Sequence, residues 1–107
     1  MIQRTKVMRL AGRRRAYILT FDRDDLRDYK VFHDTLAKTP EVITWWHYIK
    51  SSYIIISKHS ANVLAQEILK IAPNKRLLIV EVNLKNRNGL LPKEAWEWLT
   101  KQQEFIE

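Results

Sequence analysis

Apolar and polar residues follow two periods along the chain, and each change of period marks a predicted element. Residues 16–22, AYILTFD, alternate larger and smaller side chains and are apolar on both faces, which is typical of a strand. From residue 25 to residue 38, apolar residues recur at intervals of three and four. That spacing predicts a first helix, which ends at the pair Thr39-Pro40.

The rest of the chain continues the alternation of strands and helices. Two β-branched and aromatic runs, residues 42–49 and 52–57, are separated by Lys-Ser and predict a two-stranded hairpin. Ser60 is a good N-cap for a second helix, which a Pro-Asn pair ends. Residues 76–83, RLLIVEVN, predict a fourth strand, and Pro92 is suited to the first position of a C-terminal helix.

The order βαββαβ plus a helix predicts an α+β protein with the ferredoxin-like fold. In that fold two helices cover one face of a four-stranded antiparallel sheet. The predicted strands are apolar on both faces, so the second face also needs a cover. We expect the C-terminal helix to contribute Trp96 and Leu99, and a second subunit to cover the remainder as a homodimer.

Charge is concentrated at the N-terminus, although the whole chain of 107 residues carries a net charge of +7. The first fifteen residues contain six basic and no acidic side chains, and residues 16–107 carry 13 basic against 12 acidic side chains. We therefore divide the chain into a basic arm, 1–15, and a single domain, 16–107. The arm is expected to contact nucleic-acid phosphates, and its basic residues are Arg4, Lys6, Arg9, Arg13, Arg14 and Arg15. The alternative is an N-terminal extension without a role in binding.

The chain contains no cysteine, which excludes disulfides, thiolate zinc sites and thiol nucleophiles. No apolar run reaches the roughly 18 residues that span a bilayer, and no signal-peptide pattern follows the charged start. We therefore expect a cytoplasmic protein with no membrane partner. The two glycines, Gly12 and Gly89, cannot build a Gly-rich phosphate loop.

Three segments of the sequence resemble a known family: ILTFD, WWHYIKSSYIII and GLLPKEAWEWL. They are similar to the small bacterial SinR-like proteins, which are grouped with the CRISPR-associated bridging subunit of the spacer-integration complex and with the virulence-associated D ribonuclease toxins. In the CRISPR-associated relatives, one Asp ends the first strand of each subunit. The dimer brings two of these residues together around a divalent cation for phosphodiester cleavage. The resemblance implies that Asp22 is this catalytic, metal-binding residue, with Mg²⁺ or Mn²⁺ as the cofactor.

Asp22 belongs to an acidic cluster that has a second interpretation. Carboxylate oxygens are suitable ligands for Mg²⁺ or Mn²⁺ in phosphodiester hydrolysis. However, Asp24 is also a good N-cap for the first helix, and Asp25 and Asp28 would complement the positive end of the helix dipole. The sequence leaves open whether these acids bind a metal or only start the helix.

The histidines and the aromatic residues suggest further sites. His33, His47 and His59 are too far apart in sequence to form a local metal motif, and packing at the edge of an element is the commoner role of such residues. Trp45 and Trp46 should point to opposite faces of their strand, so both cannot stack on nucleic-acid bases. On the third helix, we expect Trp96 to be buried with Leu99 and Trp98 to lie at an edge.

The sequence therefore supports three hypotheses about function. The first is a dimeric metal-dependent nuclease, either an endonuclease or an endoribonuclease, that uses paired Asp22 residues. The second is a non-catalytic dimer whose arm binds DNA or RNA. The third is a protein-interaction module, such as part of a toxin-antitoxin or phage-defence system, in which an exposed tryptophan meets the partner.

Overall fold

The computed structural model describes residues 14–21, 29–49, 52–72 and 76–106 of the chain. These residues form an α+β fold, as predicted, with a four-stranded antiparallel sheet. The elements in chain order are β1 (Arg15–Phe21), α1 (Tyr29–Lys38), β2 (Thr44–Ile49), β3 (Ser52–Ser57), α2 (Ala61–Ile71), β4 (Leu77–Val82) and α3 (Lys93–Gln103).

The strands lie in the order β2-β3-β1-β4, so β1 is flanked on both sides. Leu19 of β1 pairs with Tyr53 of β3 on one side and with Ile79 of β4 on the other. The hairpin of β2 and β3 has an irregular register between Trp46 and Ile49. This arrangement is compatible with the predicted ferredoxin-like fold.

The observed elements agree closely with those predicted from the pattern of apolar residues. β3 has the predicted bounds, Ser52–Ser57, and β1 begins at Arg15, one residue before the predicted strand. The first helix ends at Lys38 as predicted, whereas its predicted start at residue 25 lies outside the described residues. Ser60 is confirmed as the N-cap of α2, since its hydroxyl oxygen accepts a hydrogen bond of 3.3 Å from the Val63 N–H.

The first face of the sheet packs against α1 and α2. These helices are amphipathic, and each inserts two buried apolar side chains spaced at the helical interval. The buried residues of this core are Tyr17, Leu19, Phe32, Leu36, Val42, Trp45, Tyr53, Ile55, Leu64 and Ile68. Because alternate strand residues point to opposite faces, the second face carries a separate core.

The second face packs against α3. We expected this cover because the strands are apolar on both faces. Its buried residues are Ala16, Ile43, Trp46, Ile56, Leu84, Ala95, Trp98 and Leu99. The prediction for the tryptophans of α3 was wrong, because Trp98 is 5% exposed and Trp96 is only partly buried. Trp98 and Leu99 are adjacent on the helix, and the orientation of α3 turns both toward the sheet.

Beyond α3, part of the second face is exposed. Ile18, Leu78 and Val80 are 38%, 58% and 46% exposed, respectively. Ile18 pairs with Val80 across the strands, and Leu78 lies two residues from Val80 on the same face. We call these three residues the apolar strip. The strip lies beside a cleft of about 430 Å³, between the sheet and α3, that Trp46 and Trp96 also line.

Candidate functional site

The residue predicted to bind a metal, Asp22, lies outside the described residues, as do Asp24, Asp25 and Asp28. The structure describes the strand that leads to them. β1 ends at Phe21, whose ring lies 5.6 Å from the Tyr53 ring and 5.8 Å from the Phe32 ring, measured between centroids. Phe21 is thus fixed against the first core at the end of β1, one of the two inner strands.

No group of three or more His, Asp or Glu side chains suitable for a metal ion occurs in the part of the chain that the structure describes. Mg²⁺ and Mn²⁺ need several oxygen ligands, usually including carboxylates. The carboxylates of the metal hypothesis, Asp22 and its acidic neighbours, lie outside these residues, so the hypothesis remains a prediction.

Two of the three histidines, which are far apart in sequence, meet in the fold. His33 on α1 and His47 on β2 lie with their ring centroids 4.9 Å apart. Tyr53 of β3 contacts both: its hydroxyl lies 2.6 Å from His33 Nε2, and its ring stacks on His47 with the centroids 4.2 Å apart. The third, His59, lies before α2, and its carbonyl accepts a hydrogen bond of 2.6 Å from the Tyr17 hydroxyl.

The surroundings of His33 favour its neutral form. Burial lowers the pKa of His33 below its usual value, and the charge of His47 lowers that pKa further. Tyr53, the hydrogen-bonding partner, is 0% exposed and belongs to the first core, so this contact ties His33 to the core. The arrangement therefore fits the predicted packing role at the edge of the core better than acid–base catalysis.

The basic arm is described only at its last two residues, and Arg4, Lys6, Arg9 and Arg13 lie outside the described residues. Arg14 forms an isolated parallel bridge with Ile106, and its guanidinium carbon lies 4.6 Å from the centroid of the Phe105 ring. Arg15 is the first residue of β1 and pairs with Ser57. A side-chain hydrogen bond with Tyr17 raises the pKa of Arg15.

Arg14 lines a cleft of about 420 Å³ at the point where the described chain begins. We call it the arm-root cleft. It is lined by Arg14, Glu81, Val82, Asn83, Leu84, Lys85, Gln103 and Ile106. Two basic side chains and one carboxylate therefore surround the opening. The sequence did not reveal this site, because β1, the end of β4 and the residues after α3 meet only when the chain folds.

Arg87 fixes the segment that follows β4 against α3. Its Nη1 donates to the Leu84 carbonyl at 2.7 Å and to Gln103 Oε1, and its Nη2 donates to Thr100 Oγ1 at 3.0 Å. A planar guanidinium suits such multiple contacts. This brace holds one wall of the arm-root cleft in place.

The aromatic residues of the hairpin do not form a platform for stacking bases. Trp45 and Tyr53 are buried in the first core and Trp46 in the second, which confirms that the two tryptophans point to opposite faces. Tyr48 is 37% exposed, and its ring centroid lies 5.2 Å from the centroid of the Trp46 ring. Phe105 is an exposed aromatic side chain with a cation beside it, since it is 48% exposed and the Arg14 guanidinium lies over its ring.

In comparisons with known proteins, no family model, no curated protein and no solved structure matches this chain. Among the described residues, no helix is both long and apolar enough to cross a lipid bilayer.

Proposed function

We propose that this protein is a ferredoxin-like homodimer that binds nucleic acid through its basic arm. The observation that carries the proposal is the distribution of charge. All six charged residues among the first fifteen are basic, and the remaining residues are nearly balanced. Such a segment gains affinity for DNA or RNA by releasing the counterions of the phosphates that it neutralises.

The fold supports this proposal in two ways. Arg14, at the end of the arm, lines the same cleft as Lys85, so positive charge continues from the arm to the folded domain. The exposed apolar strip on the sheet face supports a homodimer, since exposed apolar surface that continues a buried core is typical of subunit contacts.

The binding proposal is tested with a variant of the full chain in which Arg4, Lys6, Arg9 and Arg13 are changed to Gln. Its affinity for a labelled oligonucleotide, measured at several salt concentrations, should fall. The negative slope of log K against log salt should become shallower by up to about 3, since each phosphate contact on a single strand contributes about −0.7 to it. The control is Lys93→Gln, an exposed lysine at the other end of α3 from the arm-root cleft. An unchanged slope in the arm variant would refute binding through the arm.

A second candidate function is cleavage of phosphodiester bonds by Asp22, with Mg²⁺ or Mn²⁺ held between two subunits. Its basis is the resemblance to the CRISPR-associated nucleases, in which an Asp ends the first strand. The supporting observation is that Asp22 directly follows β1, and β1 lies between β3 and β4. The protein-interaction hypothesis needs an exposed tryptophan, and of the four tryptophans Trp96 alone is not fully buried.

A further inference from the structure

We propose that the arm-root cleft and Phe105 together bind one nucleotide of a single-stranded nucleic acid. The base stacks on the Phe105 ring, and Arg14 and Lys85 hold the adjacent phosphate. This inference rests on the proposed function, because the arm would supply most of the affinity and bring the strand to the cleft.

Phe105 directly precedes the cleft residue Ile106 and is 48% exposed, so part of its ring can be reached by a base. It lies two residues after α3, and its N–H donates to the Gln102 carbonyl at 3.0 Å, which fixes its backbone. Almost half of the side chain is open to solvent, and the Arg14 guanidinium lies over the ring. An exposed aromatic ring beside an arginine is the combination that stacks on unpaired bases in proteins that bind single strands.

The adjoining cleft suits the rest of a nucleotide. Its volume of about 420 Å³ is within the range of about 300 to 1,000 Å³ found for small-ligand sites. Val82, Leu84 and Ile106 provide apolar contacts, whereas Asn83 and Gln103 provide amide groups. The Asn83 amide oxygen accepts a hydrogen bond of 2.9 Å from the Lys85 N–H, which fixes the two residues relative to each other.

The charges in the cleft predict a modest contribution to binding. Arg14 and Lys85 favour a phosphate, and Glu81 opposes it. The cleft should therefore position one nucleotide without providing strong affinity by itself. Stacking needs a base whose face is free, so a duplex, with its bases paired and stacked, should not use Phe105.

The experiment compares Phe105→Ala, Phe105→Trp and Lys85→Gln in the full chain. Anisotropy of labelled single-stranded DNA, single-stranded RNA and duplex DNA gives the affinities at several salt concentrations. Phe105→Ala should weaken single-strand binding by roughly 5- to 140-fold, the cost of losing one base–aromatic stack. Its salt slope and its duplex affinity should not change. Phe105→Trp should keep the affinity. Lys85→Gln should make the negative slope of log K against log salt shallower by about 0.7.

Two matched controls lie away from the cleft. Leu69→Ala removes a similarly exposed apolar side chain from α2, and Lys93→Gln removes a charge from the first turn of α3. Neither should change binding. If Phe105→Ala binds single strands as the parent does while the arm variant fails to bind, the cleft proposal is wrong and the proposed function stands. If the parent binds no oligonucleotide, both are wrong. An equal loss in Leu69→Ala would also refute a specific stack at Phe105.

Discussion

At the scale of single residues, two adjacent tryptophans belong to different cores. Trp45 and Trp46 are each 3% exposed, and they lie on opposite faces of the sheet. Changing either residue to Ala should lower the free energy of unfolding by about 3 to 5 kcal/mol, because a large buried side chain leaves a cavity. Urea denaturation measures the loss. Tyr48→Ala is the control, and it should cost less because Tyr48 is partly exposed. A variant of Trp45 or Trp46 that unfolds like the parent would contradict this packing.

A second prediction at this scale concerns the dependence of stability on pH. The pKa of His33 is lowered in the fold, first by burial and then by His47, so the unfolded chain binds a proton more readily. The stabilisation from neutral His33 is complete above its unfolded pKa of roughly 6.5 and is lost as pH falls through the folded pKa. The melting temperature should therefore fall between about pH 7 and pH 5.

The variant His33→Gln isolates this contribution. It should unfold at a lower temperature at neutral pH, because it also changes the contact with Tyr53. The informative quantity is the slope of melting temperature against pH, which should be smaller in the variant than in the parent. The control Leu69→Ala changes an exposed side chain that carries no titratable group and should keep the parent's slope. Equal slopes in His33→Gln and the parent would show that His33 does not carry the effect.

A third prediction separates the two interpretations of the acidic cluster. If Asp22 binds a metal, two such carboxylates repel each other in the metal-free dimer. Asp22→Asn should then keep or raise stability while abolishing divalent-dependent cleavage. If the acids only start the helix, Asp24→Ala should cost about 1 kcal/mol as a lost N-cap. Thermal melts and nuclease assays in Mg²⁺, Mn²⁺ and EDTA decide the matter. An Asp22→Asn variant as active as the parent would exclude the catalytic role.

The sequence predicted some side-chain positions and not others, for a physical reason. The opposite faces of Trp45 and Trp46 follow from strand geometry alone. The buried face of α3 does not follow from helix geometry, because Trp96 and Trp98 are both apolar and only the docking of the helix selects one. The contact between His33 and His47 likewise depends on how α1 lies across the sheet.

At the scale of the elements, local signals set the ends of the helices. Ser60 caps α2, and Pro92 precedes α3 as its N-cap residue instead of occupying the predicted first helical position. Pro92 fits there because its φ of −60° and ψ of 154° are those of extended chain. Strand bounds follow from runs of β-branched residues, so β3 could be predicted from sequence. The pairing of the arm's end with the segment that follows α3 could not, because Arg14 and Ile106 lie at opposite ends of the sequence.

The cap of α2 gives a prediction for an element. Ser60→Ala should lower the free energy of unfolding by about 0.5 to 1 kcal/mol, at the low end for a lost cap because the hydrogen bond to the Val63 N–H is long, at 3.3 Å. Ser60→Asp should restore the stability, since it keeps an acceptor and adds a negative charge at the N-terminus of the helix. Urea denaturation of both variants is the measurement. If Ser60→Ala is as stable as the parent, the cap does not stabilise α2.

At the scale of the whole molecule, helices lie on both faces of the sheet but cover them unequally. Among the described elements, α1 and α2 pack on the first face, whereas α3 packs on the second and leaves the apolar strip exposed. A stable interface between two proteins buries about 800 Å² per partner. The strip can form the centre of such an interface, since its three side chains are exposed together on one face of neighbouring strands.

The last prediction tests this dimer. Sedimentation at tens of micromolar, a concentration at which stable dimers persist, should show two copies of the chain. Changing both Leu78 and Val80 to Lys should give a monomer, because four charges would meet at the two-fold contact and lose their hydration. Both side chains are about half exposed in one copy, so the variant should keep its fold and its circular dichroism spectrum. Leu69→Lys, on the opposite side of the sheet, should remain dimeric. A monomeric parent would exclude the dimer, and a dimeric double variant would place the interface elsewhere.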